Sequence, residues 1–283
     1  MNVKKIKHIR DKIAGSVYGF AIGDAMGATT EFMHSHEIKA KYGKVTEIIG
    51  GGWLMLKPGE VTDDTQMTMG VMDAIMKAHE SETFDWPTFG KFCSDNFIEW
   101  YLNEPKDIGS QCRKGITSLM NNEEQPHDKN ALGNGSLMRA MPLALMGPEF
   151  EDWNTYQGRF THNNLKCSRM ILDYSRLIQS YLNGEIYIPK ENVTRGILEP
   201  TGHVWNTYNN AVYWSNKDSF KEAIIGAVNN GGDADTIAAI AGSIAGARFG
   251  IEEIPEKWLN AIDSEVKIFL KKFINFVISY VQV

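Results

Sequence analysis

Glycine recurs every fourth residue in two stretches of this chain, at Gly15, Gly19, Gly23 and Gly27 and again at Gly242, Gly246 and Gly250. On an α-helix that spacing builds a ridge without side chains, against which a neighbouring backbone can approach unusually closely. Each interior glycine costs roughly 1 kcal/mol relative to alanine, so close packing must offset several such penalties. A membrane dimerisation face has a similar pattern, but Asp24 inside the first ladder and the short apolar length argue against one. The ladders predict tight helix packing inside a soluble bundle.

Apolar periodicity predicts helices over 9–28, 65–79, 84–103, 110–121, 136–146, 165–182, 218–230, 236–249 and 257–281. Residues 45–54 predict a short strand pair around Gly50–Gly52, and Ile186–Ile188 a short extended piece. No regular alternation of strands and helices is present, which argues against a parallel α/β sheet. With no Pro/Ser-rich linker, the expectation is one all-α domain over residues 1–283 with at most short β pieces.

The net charge of -6 gives no support for nucleic-acid or membrane binding, both of which favour basic surfaces. Cys93, Cys112 and Cys167 are odd in number and lack the close spacing of a metal knuckle or redox pair, so they read as core-filling thiols of a cytoplasmic protein. The basic N-terminus lacks the apolar stretch and cleavage site of a signal peptide. Lys271 and Lys272 interrupt the most apolar run, and no stretch approaches the roughly 20 apolar residues that a bilayer span requires.

Two segments carry more acid than helix capping needs. V-T-D-D-T-Q at 61–66 and G-G-D-A-D-T at 231–236 each place two carboxylates and a threonine just before an apolar helix. One Asp or Thr caps a helix start by accepting a backbone N–H bond, which leaves the second aspartate without a structural task. Carboxylate and hydroxyl oxygens suit hard divalent cations. Four ionised aspartates brought together would repel strongly without them, so convergence and metal binding stand or fall together.

With these segments in view, the chain resembles the ADP-ribosylglycohydrolase family. The resemblance rests on GSVYGFAIGDAMGATTEF (15–32), VTDDTQMTMG (61–70), PKDIGS (105–110), GNGSLMRAMPLAL (133–145), THNN (161–164) and NNGGDADTIAAIAGSIAGARFG (229–250), in the family's order. It implies an orthogonal all-helical fold with two divalent cations, Mg2+ or Mn2+. It also implies Thr62, Asp63, Asp64, Asp233, Asp235 and Thr236 as the metal ligands, and Asp107 and Glu31 as catalytic residues. Gly109, Ser110, Gly133, Asn134, Gly135, Ser136 and His162 become candidate substrate-binding residues. The segment from Gly133 to Ser136 would open a helix and offer backbone N–H groups to a pyrophosphate.

Buried Arg139 is expected to serve a polar network that orients the site, and residues 50–60 stand where a substrate-gating loop is expected. The implied activity is release of ADP-ribose from a modified protein, through an arginine or serine linkage, or from another ADP-ribosyl conjugate. Hydrolysis of a small ADP-ribose metabolite and silent ADP-ribose binding stay open as alternatives. Residues 183–215 carry no chemistry that the sequence reveals.

Overall fold

The architecture comes from a computed structural model that describes residues 3–185, 187–189 and 196–281, with residues 3–6 described by backbone alone. Among these, thirteen α-helices follow one another: α1 Val3–Gly27, α2 Ser35–Tyr42, α3 Asp63–Glu80, α4 Trp86–Leu102, α5 Ser110–Met120, α6 Met141–Met146, α7 Glu151–Arg159, α8 Leu165–Asn183, α9 Val204–Ser215, α10 Phe220–Asn230, α11 Ala234–Phe249, α12 Glu256–Ala261 and α13 Ser264–Val281. Extended pairing among the described residues is limited to isolated bridges, His34 with Gly231, Gly51 with Leu56 and Gly133 with His203. The fold is all-α. No described helix is long and apolar enough to cross a membrane.

The glycine ladders pack on each other. A Cβ added at Gly15, Gly19, Gly23 or Gly27 would come within 3.0 Å of the backbone of Gly246, Gly242, Ala238 and Ala234 respectively. One series rises as the other falls, so α1 and α11 run antiparallel in backbone contact. Every residue of α11 from Ala234 to Ala247 is buried, as expected of a helix apolar on all sides. Gly250 ends it at φ 86°, in the left-handed region that glycine adopts without strain.

This pairing sets the geometry of everything else. It lays the start of α11 against the end of α1, where Gly27 meets the backbone of Asp235. The same helix α1 anchors α3 through Asp24. That carboxylate accepts the Thr62 and Thr65 backbone N–H groups (3.1 Å to Oδ2 in each case) and both hydroxyls, at 2.8 Å from Thr62 and 2.5 Å from Thr65. One helix therefore fixes the starts of two others.

Three expected elements differ. Helix 136–146 shortens to α6, because Pro142 has no N–H to continue a helix through its own position. Residues 134–140 form turns instead, with the Leu137 and Met138 N–H groups both donating to the Asn134 carbonyl at 2.7 and 3.0 Å. Helix 257–281 divides into α12 and α13 at Asp263, whose side chain caps α13 by accepting from Glu265 N–H at 2.8 Å.

The strand pair over 45–54 does not form. Val45 pairs its backbone with the Asn229 side chain instead, at 2.8 and 2.7 Å. Ile186 lies outside the described residues, and Tyr187 and Ile188 are not in a strand. Helices α2, α7 and α9 are additional to the expected set.

Candidate active site

Where the starts of α3, α5 and α11 meet, a cleft of about 270 Å³ opens. Glu31, Asp63, Asp64, Asp107, Asp233, Asp235 and Thr236 line it, together with Gly109, Ser110, Gly133, Asn134, Gly135 and His162. Two expected residues do not reach its surface. Ser136 is fully buried, and Thr62 is turned toward Asp24 while capping α3 by accepting from Asp64 N–H at 3.3 Å. Because Thr62 supplies the cap, neither aspartate of α3 is used for it.

The acids converge tightly. Carboxylate oxygens of Glu31, Asp233 and Asp235 lie within 4.8 Å of one another. Across from α11, Asp64 Oδ2 accepts the Thr236 hydroxyl at 3.2 Å, joining the two helix starts. Asp64 Oδ1 is buried with no hydrogen-bond partner. A buried carboxylate oxygen left unpaired is costly, so a cation with an oxygen-preferring coordination shell fits this donor set. No lysine or arginine lines the cleft among the described residues.

Burial and mutual repulsion push these groups toward their neutral forms. Burial raises Glu31 to about 8 against the pull of its Trp53 hydrogen bond, with Asp233, Asp107 and Asp63 adding to the rise. Asp63 rises to about 8 through burial and the nearby Asp107, Asp24 and Asp233 charges. Burial first, and then the neighbouring acid charges, raise Asp64 and Asp235 well above the ordinary carboxylate value. Asp233 reaches only about 6, because the Asn134 amide donates to it at 2.5 Å. Burial also raises half-buried Asp107, opposed by the Ile108 N–H bond at 2.7 Å.

The other wall is neutral and rich in N–H groups. Gly109 caps α5, and Ser110, Gln111 and Cys112 of its first turn line the cleft. First-turn N–H groups have no partner within their own helix, so an anion-seeking helix start does face the cleft. It belongs to α5. The expected one after Ser136 is absent, and there the Asn134 N–H is bonded to the Gly202 carbonyl at 3.0 Å.

His162 packs against this wall. A side chain at Gly133 or Gly135 would meet its ring at about 3.0 or 2.9 Å, which explains why those two positions are glycine. Burial and the Arg139 charge lower His162 to about 3, so the imidazole is neutral, with Nδ1 paired to the Thr161 hydroxyl at 2.8 Å. Arg139, fully buried, donates to that same hydroxyl at 2.9 Å, to the Gly135 carbonyl at 2.9 Å and to Gln157. Its expected role as the hub of a polar network matches these bonds.

Sequence reasoning passed over several residues here. Asp24 was visible as a lone acid in an apolar glycine ladder, a signal of a buried acceptor. Trp53, which donates its Nε1–H to Glu31 at 2.6 Å, had no comparable signal. Phe32, Gln111, Cys112, Met138 and Gly202 also line the cleft.

Known proteins resemble this chain in sequence and fold. The ADP-ribosylglycohydrolase family model matches residues 6–195 and 171–276. The ADP-ribosyl-[dinitrogen reductase] glycohydrolase of Rhodospirillum rubrum is 33% identical over 287 residues, 94% of this chain and 95% of that protein. An ADP-ribosylarginine hydrolase of Pseudomonas putida is 27% identical over 89% of this chain and 74% of its own length. A solved structure described as an ADP-ribosylglycohydrolase-related protein complex superposes with a TM-score of 0.80 at 26% identity, covering 98% of this chain and 99% of that one. On these grounds the chain, a glycohydrolase, belongs to the ADP-ribosylglycohydrolase family.

Proposed function

We propose that the cleft hydrolyses the glycosidic bond between ADP-ribose and an arginine side chain of a modified protein, with divalent cations as cofactors. The observation that carries this reading is the convergence of two acid-bearing helix starts and Glu31 beside the bare N–H groups of a third helix start. Relatives named as ADP-ribosylarginine hydrolases support the arginine linkage over serine.

Asp63, Asp64, Asp233, Asp235 and Thr236 would hold two cations, magnesium or manganese. Thr62 lies behind the cleft surface, and would join them through a hydroxyl lone pair beside Asp64 Oδ2, 3.4 Å away, while its O–H donates to Asp24. Such ions offset carboxylate repulsion and supply Lewis acidity toward ribose hydroxyls and water.

The protein's own groups account for the rest. The N–H groups of Ser110, Gln111 and Cys112 receive the pyrophosphate, favoured by the positive end of α5. The glycine backbone at 133 and 135 lets the ligand pass close to the wall, and neutral His162 offers it a hydrogen bond without charge. Cleavage of the ribosyl bond develops positive charge on the sugar ring, and the surrounding carboxylates stabilise that charge. Asp107 serves as the proton-transfer group because it is half-exposed and outside the tightest acid cluster. Its contribution is on the order of 10²–10⁴-fold. Glu31 orients the attacking water.

Incubation with an ADP-ribosyl-arginine conjugate and Mg2+ or Mn2+ should release free ADP-ribose, measured by chromatography. Chelator should stop release. Undiminished release after thorough metal stripping, or none with either cation, would refute the proposal.

A further inference from the structure

At the rim of the acidic cleft stand two large aromatic side chains in contact with water. Phe32 is 65% exposed and Trp53 49% exposed, with ring centroids 5.4 Å apart. Phe32 borders both the cleft and an adjoining cavity lined by Met33, Glu199 and Pro200, which places it on the boundary between them.

Neither ring is there by default. Phe32 has φ 61°, a left-handed conformation that a bulky residue adopts only when its surroundings impose it. The imposing contacts are Phe32 N–H to the Gly232 carbonyl at 2.7 Å and Gly232 N–H to the Met33 carbonyl at 2.9 Å. These also tie the rim to the lead-in of α11. Trp53 is delivered by the turn at Gly50–Gly52, where Gly52 presses on the Ala28 carbonyl and the Thr29 hydroxyl donates to Gly50 at 3.0 Å. The indole N–H then fixes on Glu31 at 2.6 Å, while the ring lies against Phe32 and half of the residue stays exposed.

Exposed aromatic faces beside carboxylates attract one chemical class above others, a planar cation. We propose that Phe32 and Trp53 form the leaving-group subsite and select a guanidinium over a neutral group of the same shape. This rests on the proposed reading of the cleft. The cation stacks on the rings while Glu31 and Asp107 face its charge. Of the two aromatics, Trp53 has a second task as a positioning residue for Glu31.

The test uses the two free amino acids that differ by this charge, L-arginine and its neutral planar counterpart L-citrulline. Each is titrated calorimetrically into the cation-loaded protein saturated with ADP-ribose. The parent should bind L-arginine about tenfold or more tightly than L-citrulline. Phe32→Leu should cut that preference by roughly 2- to 5-fold, the range of a cation–π contact at an exposed site, while Phe32→Tyr retains it.

Equal binding of the two ligands, no binding of L-arginine, or a full preference in Phe32→Leu would overturn the subsite. Loss in Phe32→Tyr as well as Phe32→Leu would assign the effect to packing and overturn it too. ADP-ribose release from the arginine conjugate is read separately. Failure of the activity is thereby distinguishable from failure of the subsite.

Discussion

Gly246→Val should yield little or no folded protein. A Cβ at this position meets the Gly15 carbonyl and the Ser16 nitrogen, backbone atoms of a helix that cannot turn aside as a flexible side chain would. To admit it, α1 and α11 must separate along the whole ladder, and α11 is buried from Ala234 to Ala247. Forced overpacking of this kind typically costs 1–3 kcal/mol when neighbours can shift, and more when they cannot. A penalty above roughly 5 kcal/mol would remove between a third and all of a stability of about 5–15 kcal/mol.

The position lies at the far end of the ladder from the acids, so lost activity there would come through the fold. Gly70→Ala is the matching control. It lies inside α3, where the added Cβ makes only ordinary contact with Phe97 at 3.5 Å, and helix propensity predicts a gain of up to roughly 1 kcal/mol. Far-UV circular dichroism melts separate the two outcomes. A Gly246→Val protein that melts with the parent would refute the close packing.

Asp235→Asn should abolish turnover while making the cation-free protein more stable. The substitution keeps shape but removes an ionisable oxygen from the shared cluster, and a loss of at least about 10³-fold in kcat is expected of a group that organises the reacting centre. The stability effect has the opposite sign. Burial first, then the Glu31, Asp64, Asp233 and Asp24 charges, raise Asp235 above its ordinary value.

A carboxyl whose folded pKa is raised leaves stability intact below its unfolded pKa and erodes it as pH rises through the folded one. In chelator the parent should therefore lose stability as pH climbs from about 4 through about 8, with the values of Asp233, Glu31 and Asp63 marking the upper part of that window. Asp235→Asn should lose less. Its melting temperature near pH 8 should exceed the parent's by a few degrees, at about 2–4 °C per kcal/mol for a chain of this size. A destabilised variant would mean that Asp235 serves the fold.

Much of this was readable from the residues. The glycine ladders announced close backbone approach, and the surplus aspartates announced a task beyond capping. What the sequence could not reveal was that each ladder's partner was the other, a pairing made across more than 200 residues. The partners of Asp24 stayed hidden for a similar reason, since the hydroxyls it accepts from lie 38 and 41 residues away.

A helix was expected to open after Ser136 because Gly-Asn-Gly-Ser followed by apolar residues looks like a helix start, and none does. Only the missing N–H of Pro142 betrays the turn. Helix α9 escaped notice because tryptophan, tyrosine and asparagine crowd it, residues with no strong helical preference. It forms where His203 caps it, with the ring nitrogen accepting from Trp205 N–H at 3.2 Å.

On the proposed reading, α3 and α11 contribute jointly to a single cation-binding centre. Calorimetric titration of Mn2+ into the metal-stripped protein, its Asp63→Asn variant and its Asp235→Asn variant tests this most directly. Both variants should bind at least about tenfold more weakly than the parent, because each removes an oxygen donor from the same centre. Parent-like Mn2+ affinity in either variant would contradict it.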